Sequence, residues 1–105
     1  MKIVKRLVKA IDEELCGAEE YAEKAIEATA NADMSGERKW VETYKGMAED
    51  ELKHASILHE RAVSVIENLR SVYTPPADML QKWEESHNGY IERTNRIKSM
   101  LNPKS

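Results

Sequence analysis

Apolar and small residues recur along this chain with a helical period, in three blocks. From about Lys2 to Ala32 they fall at Val4, Leu7, Ile11, Leu15, Ala18, Ala22, Ala25 and Thr29. At 100° per residue these positions form a band roughly 100° wide, which predicts an amphipathic helix. Asn31 to Gly36 is polar and turn-rich, and Ser35 is placed to cap the next helix. That second helix is predicted from about Glu37 to Val72, striped by Trp40, Tyr44, Met47, Ala48, Ala55, Leu58, Ala62, Val65 and Leu69. Thr74-Pro75-Pro76 interrupts the pattern: Thr74 can cap, and proline is tolerated where a helix begins. A third helix is predicted from about Ala77 to Leu101, with Leu80, Trp83, Tyr90, Ile91, Thr94 and Leu101 on one side and Pro103 beyond its end. Short connections imply antiparallel neighbours, so the first two helices are expected to form a long hairpin.

Some ionisable residues break this pattern. Most of the glutamates point to water: Glu13, Glu20, Glu23 and Glu27 lie roughly 120–200° from Ile11 on the helical wheel. Glu14 lies only about 60° away, inside the apolar band, and Glu19 lies at its edge. On the second helix Glu51 falls near the centre of the stripe, with His54 about 60° to one side, while Glu49, Glu60 and Glu67 face outward. Glu51 and His54 are i, i+3 and share a face. Such groups are costly to bury without a partner, and a cation is one partner that offsets the cost. Depth agrees with facing. Glu14 precedes the end of its helix by about 18 residues and Glu51 follows the start of its own by about 15, which places them within about 5 Å in height.

The third helix repeats the spacing as Glu84-Glu85-Ser86-His87, with Glu84 and His87 on its apolar side. Here a tight antiparallel turn leaves His54 and His87 roughly 12 Å apart in height. Helix bundles build di-metal carboxylate sites from one Glu on each of two helices and a Glu-x-x-His on each of two others. Two arrangements approach that quota. Two chains pairing about a two-fold axis, each giving Glu14, Glu51 and His54, complete it. One chain giving Glu14, Glu51, His54, Glu84 and His87 falls one Glu short. The height argument and the gain a short chain draws from pairing favour the homodimer.

Composition narrows the field further. The 105 residues suit one domain, 41% hydrophobic and 33% charged, with 4 Gly and 3 Pro, the profile of a charged all-α bundle. A net charge of −3 gives no general electrostatic case for nucleic acid. The basic start (Lys2, Lys5, Arg6, Lys9) and the acidic run after it read as a solvated face, or else as a docking patch for an acidic partner or surface. Cys16 is the only cysteine and falls on a polar face, so no role is assigned to it. Its isolation suits a reducing compartment. The start is too often broken by charge for a secretory segment, and no apolar run approaches the ~20 residues of a membrane span. The expectation is a cytoplasmic protein.

At the residues singled out above, the chain resembles the ferritin-like superfamily. Glu14-Leu15-Cys16-Gly17-Ala18-Glu19-Glu20-Tyr21 is similar to the first-helix motif of bacterioferritins and rubrerythrins, a ligand Glu with a small residue at +3 and a Tyr at +7. Glu51-Leu52-Lys53-His54-Ala55-Ser56-Ile57-Leu58-His59-Glu60-Arg61 resembles their second-helix motif, and Trp83 to Ile91, less closely, their fourth. The chain departs from four-helix members in lacking their third helix, with its Glu, and the crossover before it. In that it is similar to encapsulated ferritins, whose iron site forms between two subunits. The resemblance implies a di-iron centre (manganese or zinc being alternatives) and oxidation of Fe²⁺ by O₂ or peroxide. It makes Glu14 and Glu84 terminal or bridging ligands, Glu51 a bridging ligand, and His54 and His87 terminal nitrogens. Tyr21 becomes an outer-shell catalytic group, bonded to a ligand or able to take up an electron. A full 24-subunit cage is not expected from a chain short of one helix.

The competing expectation is a non-catalytic interaction bundle with the same scaffold, in which Glu14, Glu51 and His54 form a metal-free network completed by Arg61 or a partner's Lys. Trp40, Tyr44, Trp83 and Tyr90 read as core or dimer-contact aromatics, the methionines as packing, and His59 as a rim residue.

Overall fold

A computed structural model describes residues 2–103. Three helices follow one another: α1 Lys2–Ala30, α2 Glu37–Val72 and α3 Ala77–Leu101. The last two have the bounds that the apolar periodicity predicts. The first stops two residues early, and Asn31 is the reason. Its side-chain amide donates to the Glu27 carbonyl at 3.1 Å, and its backbone N–H is shared between the Glu27 and Ala28 carbonyls. An Asn that satisfies helix-end carbonyls in this way ends the helix.

Neither expected cap forms. Gly36, not Ser35, occupies the α2 N-cap, with φ 87° in the left-handed region that glycine adopts without strain. Pro76, not Thr74, precedes α3, and its carbonyl accepts from the N–H groups of Met79 and Leu80. That carbonyl, not a side chain, takes up N–H groups of the first turn.

The pairing of α1 with α2 is antiparallel. Glu14 meets His54, while Tyr21, one heptad further along α1, meets Tyr44, ten residues earlier on α2. The seam between them is lined by alanine: Ala18 and Ala22 on α1, and Ala48, Ala55 and Ala62 on α2, all 0% exposed. Small side chains one heptad apart let two backbones approach closely and keep the register over many turns. Ile11, Leu15, Val65, Ile66 and, from α3, Trp83, Ile97 and Leu101 supply the bulk of the core. The third helix lies chiefly against α1 and touches α2 sparingly. The molecule measures 59 × 20 × 18 Å, its length set by α2. Of the methionines, Met79 is buried as expected, whereas Met34 and Met47 are exposed. Among the described residues no helix is long and apolar enough to cross a membrane.

Candidate metal centre

Packing of the alanine seam puts Glu14, Glu51 and His54 at one level of the hairpin. One ligand-type atom from each lies within 4.8 Å of the other two. Among the described residues this is the one such group of three or more. His54 Nδ1 stands 3.5 Å from Glu14 Oε2 and 3.9 Å from Glu51 Oε1. The carboxylates are mostly covered, with side-chain exposures of 28% and 27%, while the imidazole, 53% exposed, opens the cluster to the surface.

Three observations describe its chemistry. Glu14 Oε2 is closed off from water and has no hydrogen-bond partner, an uncommon and costly state for a carboxylate oxygen. Next, the Glu51 carboxyl is held above the usual carboxylate value. A shared hydrogen bond with Glu14 is the main cause, then burial and the negative charge of Glu14, with His54 pulling the other way. Finally, Gly17 faces the Glu51 carboxylate so closely that a Cβ there would stand 3.0 Å from Oε2. The small residue at +3 from Glu14 therefore makes the room the carboxylate occupies. Among the described residues no Lys or Arg pairs with Glu14 or Glu51, and Arg61, the expected neutralising partner in the metal-free reading, is exposed.

These donors fit a cation. Ligand atoms around one ion, each about 2.0–2.2 Å from it, stand up to about 4.4 Å apart. A closure of a few tenths of an ångström suffices. Two carboxylates and an imidazole suit iron, manganese or zinc. Three donors alone would leave an ion there short of a full shell.

The remaining predicted ligands lie elsewhere. Glu84 is exposed, and its neighbour Trp83 takes the buried position. His87 meets not His54 but His59, whose Nε2 shares a 2.8 Å hydrogen bond with His87 Nδ1. His59 follows His54 by five residues, about 7.5 Å along the helix, so the mismatch in height expected from the sequence is present in the fold. Tyr21 is half-buried two turns from Glu14 and stacks on Tyr44 (centroids 6.4 Å), which in turn contacts Trp40 at 5.8 Å. The Lys24 ammonium lies 5.7 Å from the Tyr21 ring centroid.

Arg93 carries a contact that the helical pattern does not reveal. It donates to Glu19 (2.8 Å), Asp12 (2.6 Å) and the Cys16 sulfur (3.2 Å), and Arg96 joins it on Glu19. Burial opposes the Arg93 charge, but these bonds outweigh it and hold its pKa above the usual arginine value. The placement of Glu19 at the edge of the apolar band is the signal in the sequence; its partner, 74 residues away, has none.

No family model, curated protein or solved structure matches this chain. The ferritin-like resemblance is carried by the three motifs themselves.

Proposed function

We propose that this chain is a ferritin-like di-iron carboxylate protein that binds Fe²⁺ and oxidises it, with two copies each giving Glu14, Glu51 and His54 to one shared centre. The observation that carries this reading is the water-excluded Glu14 Oε2, which makes no hydrogen bond and stands 3.5 Å from His54 Nδ1, with neither carboxylate paired to a Lys or Arg among the described residues. A divalent cation supplies the missing charge.

The chain's own residues divide the work. Glu14 and Glu51 provide oxygen donors, and Gly17 keeps space for the Glu51 carboxylate. Glu14 holds the Glu51 carboxyl above its ordinary value, and a cation between the two carboxylates would oppose that shift. His54 offers Nδ1 at the surface side, where substrate enters. Fe²⁺ is the substrate: each ion gives up one electron, and O₂ or peroxide takes electrons in pairs. Tyr21, stacked on Tyr44, is the ring placed to relay or hold an electron. A second copy seats where His54, Met47 and Trp40, one heptad apart on α2, leave an exposed stripe at 53%, 36% and 41%.

Anaerobic Fe²⁺ loading followed by metal analysis tests the reading. Two irons per pair of chains are expected, with near-ultraviolet absorbance of Fe³⁺ growing on admission of O₂. If Glu51→Ala takes up as much iron as the parent, the chain is an interaction bundle and not an iron protein.

A further inference from the structure

The second place where nitrogen donors converge is the contact between α2 and α3. His59 Nε2 and His87 Nδ1 face each other at 2.8 Å. The His59 ring lies flat against Tyr90, with centroids 4.1 Å apart at 10°, and near Trp83 at 5.5 Å. Both imidazoles are half-buried.

We infer that His59 and His87 form a second metal site, separate from the carboxylate centre and selective for a late divalent ion such as Zn²⁺ rather than iron. The argument is geometric. Tetrahedral zinc, with Zn–N bonds of about 2.0–2.1 Å, needs its two nitrogens about 3.3–3.4 Å apart. The observed pair has to open by roughly half an ångström, and each ring to turn so that both lone pairs meet one ion off the line between them. Each ring then carries its proton on the other nitrogen, so the exchange of hydrogen bond for ion is a tautomer shift with no net proton released. Two imidazoles without a gathered carboxylate favour zinc, copper or nickel over Fe²⁺. Water completes the shell, since no carboxylate gathers with the two imidazoles among the described residues. The site would tie α3 to α2, where contact is otherwise sparse.

The test uses the full chain carrying Glu14→Gln and Glu51→Gln, so that the carboxylate centre cannot answer for it. Calorimetric titration with Zn²⁺ alone should show one ion per chain, and adding His87→Gln should weaken binding at least tenfold. Co²⁺ in place of Zn²⁺ should give tetrahedral ligand-field bands that vanish with His87→Gln. Imidazole ¹⁵N spectra of the double-Gln chain guard against misfolding of the histidine variant. Zn²⁺ should shift His59 Nε2 and His87 Nδ1 together and leave His54 unmoved. No saturable Zn²⁺ uptake, undiminished uptake after His87→Gln, or a shift at His54 alone would overturn the site. Failure of iron binding at Glu51 would not touch it.

Discussion

Gly17 shows how one residue can trade stability against chemistry. Mid-helix glycine costs about 0.5–1 kcal/mol relative to alanine, yet here it lies where a methyl group would press on Glu51 Oε2 at 3.0 Å. Gly17→Ala should therefore leave thermal stability of the metal-free chain equal or higher, while Fe²⁺ affinity falls roughly 10–100-fold, the range for disturbed ligand support. Parallel melting curves and iron titrations check both halves. Glu51 itself makes the same trade. Its raised pKa means the ionised pair with Glu14 weighs against the fold once pH climbs past the carboxylate range. Glu51→Gln should raise the metal-free melting temperature at pH 7 while abolishing iron uptake. These positions were legible in the sequence because helical angle and depth along a hairpin are simple arithmetic, and Glu14, Glu51 and His54 satisfied both. His59 was not legible: it lies about 140° from His54 on the wheel, and nothing local announces a partner on another helix.

At the scale of elements, α3 is held by a few polar devices on a modest apolar contact. Arg93 reaches Asp12, Glu19 and Cys16 together. Its side chain is 23% exposed but Asp12 is 61% exposed, so solvent screens part of the clasp. Arg93→Met should cost about 1–2 kcal/mol, read as a lower urea midpoint, with amide exchange accelerated in α3 more than in α1 or α2. The histidine contact adds a pH dependence. Burial, then the charge of His87, hold His59 below its ordinary 6.5. The unfolded chain then binds the proton more readily, so stability is full above that value and declines as pH falls through the folded pKa. With chelator present, the melting temperature should drop as pH falls below about 6.5, and His59→Gln should flatten that slope. Helix bounds were legible from periodicity and prolines. The caps were not, since Gly36 and Pro76 displaced the side-chain caps that Ser35 and Thr74 suggested. The preference of α3 for α1 over α2 was likewise invisible, because the Arg93 contacts that accompany it reach partners more than 70 residues away.

The whole molecule is a long, narrow three-helix body whose carboxylate cluster opens at an edge. With the imidazole half in solvent, the proposed centre would be one that a single copy leaves unfinished. Trp40, Met47 and Ile57 stand exposed on the same helix as His54, apolar surface that pairing would cover. Solution mass should therefore shift toward the dimer when Fe²⁺ is added, and Trp40→Glu should oppose that shift without unfolding the chain. A monomer that still held two irons would return Glu84 and His87 to the ligand set, against their observed positions. The most direct measurement is anomalous scattering at the iron edge from crystals soaked anaerobically in Fe²⁺. The account predicts paired peaks about 3.5–4 Å apart, ringed by Glu14, Glu51 and His54 from two copies. An absence of iron at those side chains, with both carboxylates engaged elsewhere, would contradict it.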